Sequence, residues 1–207
     1  LGIVDFDKID ISNIHRQPLF SPNLVGEMKA MVAAVKLQEI NPFIKVKAHN
    51  LRLDAKNGET VIKDYDLILD CTDNMQTKFL VHDLCFKLRK PLISASVYKE
   101  EGQIRTFKPG SDEGCLRCYS KATPDDALLG NCNDFGVLGA TTQILGSIQA
   151  SEAIHFLNEG TNATLGKTLF MNLKTLTQIQ IKNTKHAECS VCQGNVEIKI
   201  SELEVGI

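Results

Sequence analysis

The fold class of this chain is decided by a short apolar run that ends in carboxylates and leads into a helical pattern. The stretch reads Asp66-Leu67-Ile68-Leu69-Asp70-Cys71-Thr72-Asp73-Asn74. Three apolar residues between acidic ones are typical of a buried parallel strand. From Asn74 to Leu88 the apolar residues recur at helical spacing, so the pattern predicts a strand followed directly by a helix.

The alternation of strand and helix extends in both directions from this stretch. Upstream, the pattern predicts strands over 1–4 and 44–48 and helices over 26–40 and 54–62. Downstream, it predicts strands over 91–96 and 103–107, a long helix over 136–157 and a hairpin from 169–173 and 177–181. Such alternation favours an α/β fold with a doubly wound, mainly parallel, Rossmann-like sheet. We expect a single domain over residues 1–194 and a short tail over 195–207.

The composition is that of an ordinary globular protein. The chain has 207 residues, 43 % of them hydrophobic and 23 % charged, with a formal net charge of -2. A near-balanced charge argues against a nucleic-acid partner, because such proteins usually carry a basic surplus. No apolar run approaches the roughly 20 residues that span a bilayer, so we expect no membrane partner.

Four of the seven cysteines form two closely spaced pairs. An odd cysteine count argues against a secreted disulfide framework. Each CxxC pair can direct two thiolates at one ion, and two pairs complete a tetrahedral zinc site. Two unrelated pairs, or one redox-active pair, are the alternatives to a structural zinc site. The four candidate ligands are Cys115, Cys118, Cys189 and Cys192.

Charged residues lie where ligands bind in sheets of this class, at the carboxyl ends of strands. Asp5 follows the first predicted strand, and its carboxylate can accept hydrogen bonds from ribose hydroxyls. Asp70 and Asp73 follow the strand at 67–69 and could bind a magnesium ion that bridges phosphates. Arg16 and Lys29 can offset phosphate charge. Taken alone, an aspartate that ends a strand is more often a helix cap, and a lone arginine or lysine is mostly solvated surface. The joint order of these residues is the signal.

The order of these motifs closely resembles that of the ThiF/MoeB/HesA family, bacterial relatives of the ubiquitin-activating enzymes. The resemblance covers residues 1–194. Its ordered blocks are Asp5-Phe6-Asp7, Ser12 to Gln17, Gly26 with Lys29-Ala30, Asp70 to Asn74, Cys115 to Cys118, Gly136 to Leu138 with Gly146 to Ala153, and Cys189 to Cys192.

The resemblance implies ATP- and Mg²⁺-dependent adenylation of the C-terminal glycine of a small ubiquitin-like sulfur carrier ending in Gly-Gly. The activated carrier then receives sulfur for thiamin- or molybdopterin-type pathways, which implies a sulfurtransferase or cysteine desulfurase as a further partner. The family also implies a homodimer. Reduced thiols as zinc ligands and the lack of a signal segment favour a cytoplasmic protein.

The resemblance also assigns roles residue by residue. Asp5 resembles the residue that holds the ribose, and Ser12, Asn13 and Arg16 match an ATP-contacting motif. Arg16 and Lys29 resemble phosphate ligands, and Asp73, with Asn74 beside it, resembles the magnesium-binding aspartate. Cys115, Cys118, Cys189 and Cys192 resemble the structural zinc ligands. Cys132 stands where some members form a covalent link to the carrier, and it is either such a nucleophile or a bystander thiol.

One departure from the family pattern concerns the Gly-rich nucleotide loop between the first strand and the first helix. No such loop occurs in residues 1–207, and we expect an N-terminal βα unit that carries it upstream of Leu1. The alternative is a truncated or non-catalytic, zinc-stabilised family member that acts as an interaction module.

Overall fold

A computed structural model describes residues 1–125 and 136–198 of the chain. These residues belong to two compact units, Leu1–Leu53 and Asp54–Ile207. Cys132 and most of the predicted tail, residues 199–207, lie outside the described residues.

The first unit contains a pair of short parallel strands and one main helix. In β1 and β2, Gly2 is paired with Lys47 and Val4 with His49. A small core of Ile9, Phe20 and Ala33 holds the connecting segments together. The elements are β1 (Gly2–Val4), two 3₁₀ turns (Ile11–Asn13 and Pro22–Leu24), α1 (Lys29–Ile40) and β2 (Lys47–His49).

The predicted start of the first helix at Gly26 is wrong, because α1 begins at Lys29. The preceding residues are held in an extended turn instead. The backbone N–H of Gly26 donates to the carbonyl of Ile9, and Lys8 bridges Met28. Gly26 also has a φ of 92°, a left-handed conformation that no helix contains. The turn therefore sets Lys29 at the first position of the helix.

The second unit contains one five-stranded sheet in the order β3-β4-β5-β6-β7. The predicted strands, helices and hairpin all occur here, with ends shifted by a few residues. The elements are α2 (Gly58–Ile62), β3 (Ile68–Asp70), α3 (Met75–Lys87), β4 (Leu92–Tyr98), β5 (Glu101–Phe107), α4 (Leu116–Tyr119), α5 (Gly139–Glu159), β6 (Lys167–Asn172) and β7 (Thr177–Lys182).

The α/β class predicted from the sequence is confirmed, and the strand pairing divides into two parts. The pairs β1-β2 and β3-β4 are parallel, as the strand–helix alternation predicts. From β4 to β7 every pair is antiparallel. Short connections from β4 to β5 and from β6 to β7 return the chain without a crossover helix, which makes these two pairs antiparallel. The connection from β5 to β6 is longer and contains α4 and α5.

Helix α5 covers one face of this sheet. Leu145 packs with Ile93 and Ile104, and a Cβ at Gly102 would collide with it. Gln149 donates hydrogen bonds to the carbonyls of Asp70 and Ile93, at 3.1 and 2.9 Å. The helix therefore fixes the carboxyl end of β3 directly.

None of the helices in the described residues combines the length and apolarity needed to cross a bilayer.

Candidate functional site

The segment that follows β1 places a lysine ammonium beside carboxylates. The Lys29 Nζ donates to the Asp7 carboxylate at 3.1 Å, and the backbone N–H of Lys29 donates to the Asp7 carbonyl at 2.9 Å. The Asp5 carboxylate accepts the backbone N–H of Asp7 at 2.8 Å. The Lys29 side chain is 11 % exposed, whereas that of Asp7 is 51 % exposed. This arrangement keeps a mostly buried cation at the start of α1, next to an acceptor that faces water.

The predicted motif at residues 12–16 forms a compact turn built on Asp10. The Asp10 carboxylate accepts both the hydroxyl and the backbone N–H of Ser12, at 2.6 and 2.8 Å. These bonds lower the pKa of Asp10, and the charge of Lys29 adds to the effect. Asn13 completes a capping box by accepting the Asp10 N–H. The Arg16 guanidinium donates to the Ser12 carbonyl at 3.0 Å, which orients it over this turn.

The first aspartate after β3 forms a buried and fully occupied ion pair. The Asp70 carboxylate accepts the Lys78 ammonium at 2.6 Å and the Ser94 hydroxyl at 2.6 Å. Its other oxygen accepts the hydroxyl and the N–H of Thr72, at 2.7 and 3.0 Å. Burial raises the pKa of Asp70, but Lys78 and the hydrogen bonds outweigh it and the pKa is lowered. Asp70 is therefore an ionised structural group, and the sequence alternative of a magnesium ligand does not fit it.

The second aspartate, Asp73, differs because its side chain is exposed to solvent. An exposed carboxylate fits Mg²⁺, which keeps several waters and takes one or two protein carboxylates together with phosphate oxygens. The neighbouring Asn74 has a structural task, since its side chain accepts the Thr77 N–H at 2.8 Å and caps α3.

The two CxxC pairs come together, as the spacing predicts. The Cys115–Cys118, Cys115–Cys189 and Cys118–Cys192 sulfur atoms are 3.9, 3.6 and 3.5 Å apart. All four sulfurs lie within 4.8 Å of one another. Tetrahedral zinc–thiolate bonds of about 2.3 Å put neighbouring sulfurs about 3.8 Å apart, so the four cysteines fit a zinc ion. The distances exclude disulfides, whose sulfurs are about 2 Å apart.

The surroundings of the sulfurs differ from one cysteine to the next: burial raises the pKa of Cys115 and Cys192, whereas the pKa of Cys118 is lowered. Burial opposes ionisation of Cys118, but the backbone N–H of His186 donates to its sulfur at 3.4 Å and the pKa of Cys118 is lowered. The His186 residue is exposed, and it is absent from the cluster of metal-ligating side chains that the described residues form. Its contribution to the cluster is therefore this backbone hydrogen bond.

A polar network that the sequence analysis missed holds the first CxxC pair on α3. The buried His82 accepts the Leu116 N–H at its Nε2, at 3.1 Å, so its Nδ1 carries the proton and donates to Asp83 at 2.9 Å. The Asp83 carboxylate accepts two nitrogens of Arg117, the shorter bond being 2.6 Å. Burial lowers the pKa of His82 and keeps it neutral. The only sequence signal was the interruption of an apolar helix by His82 and Asp83.

The structure thus assembles the predicted residues within each unit. In the first unit, hydrogen bonds join Asp5 to the Asp7–Lys29 pair and Ser12, Asn13 and Arg16 around Asp10. In the second unit, the four cysteines form one cluster, and Asp73 lies between the Asp70 network and the Asn74 cap. The remaining predicted residue, Cys132, lies outside the described residues.

Comparison with known sequences gives a consistent result. A sequence model of the ThiF family matches residues 1–191. The protein called adenylyltransferase and sulfurtransferase MOCS3-1 from Drosophila pseudoobscura pseudoobscura is 37 % identical over 93 % of this chain. A Caenorhabditis briggsae protein called adenylyltransferase and sulfurtransferase MOCS3 is 35 % identical over 93 % of the chain. The chain covers 43 % and 48 % of these two proteins, so it spans less than half of their length.

Comparison with solved structures supports the fold. The Escherichia coli protein MccB, in its crystal structure with MccA-N7isoASN, has a TM-score of 0.78 at 19 % identity. The crystal structure of MccB with ATP has a TM-score of 0.75 at 22 % identity. The similarity covers 92 % of this chain and 59 % or 58 % of the MccB chain, respectively.

Proposed function

The chain belongs to the ThiF family, and from this premise we propose that it adenylates the C-terminal glycine of a ubiquitin-like sulfur carrier, using ATP. The observation that carries the proposal is the family match over residues 1–191. The relatives called adenylyltransferase and sulfurtransferase support the same activity.

The proposed reaction is a displacement at phosphorus. A carboxylate oxygen of the carrier attacks the α-phosphorus of ATP, the bond from that phosphorus to the bridging oxygen breaks, and pyrophosphate leaves. The product is an acyl-adenylate. Little proton transfer is needed, so the protein contributes mainly positioning and neutralisation of the growing negative charge.

We assign the phosphate-binding roles to Lys29 and Arg16. Lys29 supports this assignment because its ammonium is mostly buried, yet the carboxylate that holds it is half exposed. A phosphate oxygen can therefore replace Asp7 without burying an unpaired charge. Arg16 suits a phosphate because its planar guanidinium can donate two parallel hydrogen bonds. Asp5 would accept ribose hydroxyls, and Ser12 and Asn13 would shape the turn beneath the nucleotide.

Asp73 is the proposed magnesium ligand, with Asn74 holding the start of α3 beside it. A magnesium ion held there would neutralise charge on the triphosphate. The exposed Asp73 carboxylate supports this role better than Asp70, whose oxygens are all occupied.

The four cysteines are the proposed ligands of a structural zinc ion. Thiolate ligands of this kind need a reducing compartment, so we propose a cytoplasmic protein. Replacing Cys189 by serine should lower the zinc content from one ion per chain to none and reduce the melting temperature. Atomic absorption and thermal unfolding measure both, with Cys85→Ser as the control at a buried cysteine outside the cluster. Zinc retained at one ion per chain by Cys189→Ser would overturn the site.

The finer assignments complete the proposal. Residues 1–194 would form one adenylyltransferase domain of a homodimer, with a thiamin- or molybdopterin-type carrier as substrate. A sulfurtransferase or cysteine desulfurase would supply the sulfur. Cys132 would form the reducible covalent link to the carrier, and Cys132→Ser should then keep adenylation but lose that adduct.

The test of the function is ATP–pyrophosphate exchange by the protein with carriers that end in Gly-Gly. Exchange should require a carrier, and Asp73→Ala should abolish it while leaving thermal unfolding unchanged. The matched control is Asp112→Ala, another exposed aspartate of the same unit, which should exchange normally. Absence of exchange by folded, zinc-loaded protein with every carrier would favour the non-catalytic alternative.

A further inference from the structure

The two CxxC pairs are attached to the rest of the unit in different ways. In the first pair the cysteines flank Leu116 and Arg117, and helix α3 binds both of these residues. The Leu116 N–H donates to the His82 ring at 3.1 Å. The Arg117 guanidinium donates to the Asp83 carboxylate at 2.6 Å. Two neighbouring residues of one helix therefore hold the two central positions of the first pair.

The His82 ring has a fixed orientation. Its centroid lies 4.5 Å from that of Phe86 and 5.3 Å from that of Phe107, which meets it edge to face. Its Nδ1 donates to Asp83 at 2.9 Å, which leaves Nε2 as the acceptor for the Leu116 N–H. His82 is fully buried, so water does not compete for either hydrogen bond. The ring is therefore a rigid acceptor aimed at the backbone of the first pair.

The Arg117 side chain is held as firmly as the Leu116 backbone. Its Nε and Nη2 both donate to Asp83, and its Nη1 donates to the Lys121 carbonyl at 3.1 Å. The guanidinium carbon lies 4.6 Å from the centre of the Phe79 ring. Both charged side chains of this ion pair are mostly buried, at 15 % and 7 % exposure. The turn from Cys115 to Cys118 therefore cannot leave α3 without separating a desolvated ion pair.

The second pair lies in a run of turns after β7. The Cys189 N–H donates to the His186 carbonyl at 3.1 Å, and the Asn195 N–H donates to the Ser190 carbonyl at 2.9 Å. In the part of the chain that the structure describes, the backbone N–H groups of residues 189–195 that form hydrogen bonds donate within residues 186–195. The His186 N–H, by contrast, reaches the first pair by donating to the Cys118 sulfur. The second pair is thus linked to the first chiefly through sulfur atoms.

We propose that His82 and Asp83 are positioning residues, which hold Cys115 and Cys118 as a pre-formed half of the metal site. Metal binding then fixes the second pair against this half. The inference rests on the proposed zinc site and identifies residues outside the ligand set that determine its affinity. A half-site already in place loses less conformational entropy when the ion binds, so its affinity is higher. Hydrogen-bonded groups behind metal ligands typically change metal affinity by about 10–100-fold.

The experiment compares zinc affinities of full-chain variants, measured by competition with a chromophoric chelator. His82→Leu fills a similar volume but lacks an acceptor for the Leu116 N–H, so it should weaken zinc binding about 10–100-fold. His82→Gln should recover most of the affinity, because its amide oxygen reaches about as far as the imidazole Nε2. The control is Leu84→Ala, at a fully buried position of the same helix. It should lower the melting temperature but keep the zinc affinity within about threefold.

A second variant keeps the proposal testable if His82→Leu does not fold. Asp83→Asn/Arg117→Met removes both charges together, so no buried charge is left unpaired. The asparagine can still accept the His82 Nδ1–H, whereas the first pair loses its side-chain tie to α3. This double variant should also weaken zinc binding about tenfold. Zinc affinities within about threefold of wild type in every folded variant would overturn the proposal.

Hydrogen exchange tests the state of the two pairs without metal. After zinc removal, the wild-type segment 114–119 should stay protected, whereas the segment 186–195 should exchange rapidly. In His82→Leu the segment 114–119 should lose its protection, whereas β5 (Glu101–Phe107) should keep it. A loss of stability alone would not separate these two segments. Equally rapid exchange of both cysteine segments in metal-free wild type would show that neither half is pre-formed.

The outcomes also separate this inference from the zinc site itself. One zinc ion per wild-type chain, together with unchanged affinity in the variants, would leave the zinc site in place and remove the positioning role. A folded wild-type protein that binds no zinc would remove both. None of these measurements depends on adenylation activity.

Discussion

The two units contain aspartate–lysine pairs that look alike in sequence and differ in surroundings. Asp70 ends β3 and pairs with Lys78 of the following helix at 2.6 Å, and the two side chains are 0 % and 4 % exposed. Asp7 follows β1 and pairs with Lys29, the first residue of α1, at 3.1 Å. There the aspartate is 51 % exposed.

The difference shows which charged groups are free to act on a ligand. In the pair Asp70–Lys78 every carboxylate oxygen is occupied, and the ammonium also donates to the carbonyl of Ala95 at 3.0 Å. Neither group can leave the pair without burying an unpaired charge. In the pair Asp7–Lys29, water can hydrate the half-exposed Asp7 carboxylate, so the lysine can bind another anion instead. We call Asp70–Lys78 the closed pair and Asp7–Lys29 the open pair. The closed pair stabilises the end of β3, and the open pair is suited to binding phosphate.

The largest expected effect is a loss of protein stability when the closed pair is broken. Lys78→Met leaves the Asp70 carboxylate buried without its cation and should lower the free energy of unfolding by about 3–5 kcal/mol. Urea denaturation followed by circular dichroism measures it. The double variant Asp70→Leu/Lys78→Met removes both charges and should recover most of the loss. A loss below about 1 kcal/mol for the single variant would make this pair equivalent to a surface one.

The second effect is on activity and concerns the open pair. Lys29→Met should lower kcat/KM in pyrophosphate exchange by about 10²–10³-fold, because a phosphate ligand is lost. The free energy of unfolding should change by less than about 1 kcal/mol, since the remaining Asp7 carboxylate can be hydrated. Lys36→Met, on the surface of the same helix and paired with Glu39, is the control and should retain activity. An unchanged kcat/KM would remove Lys29 from the phosphate site.

Sequence reasoning predicted the parts of the molecule that depend on local pattern. The helix after Asn74 and the convergence of the two CxxC pairs follow from residue spacing alone. The start of α1 was misplaced because a turn pinned by the carbonyl of Ile9 replaces the first helical turn. The partners of Lys78 depend on which strands become neighbours, and no local pattern contains that information.

The third effect is the part of the pH dependence of stability that the pair Asp70–Lys78 contributes. The folded pKa of Asp70 lies below its unfolded value of about 3.9, so the pair stabilises the fold above that pH. This contribution should decrease as the pH falls through 4 towards the folded pKa. Urea denaturation between pH 6 and pH 3 should show this decrease in the free energy of unfolding. The measurement uses a Cys189→Ser background, which excludes a contribution from metal release. In the same background, the Asp70→Leu/Lys78→Met double variant should lose less stability over this pH range. Equal pH profiles with and without the double variant would contradict the contribution of the pair.

The smallest effect is expected for the exposed aspartate of the open pair. Asp7→Asn should change the free energy of unfolding by less than about 1 kcal/mol, because a half-exposed ion pair contributes little. The KM for ATP should change by less than about threefold, since Lys29 remains available. Chemical denaturation and exchange kinetics test both. A loss above 2 kcal/mol would show that the two pairs are energetically alike.

The cysteine cluster has a consequence for the integrity of the chain. Cys115 and Cys189 are 74 positions apart, as are Cys118 and Cys192. A metal ion bound to all four would close the intervening polypeptide into a ring and restrict the unfolded chain, by about 4 kcal/mol in the loop-closure treatment used for disulfides. A single backbone cut inside that ring would then leave two fragments held by the ion. The two fragments would separate when a chelator removes the ion under denaturing conditions. The cluster would therefore act as a reversible cross-link of the chain.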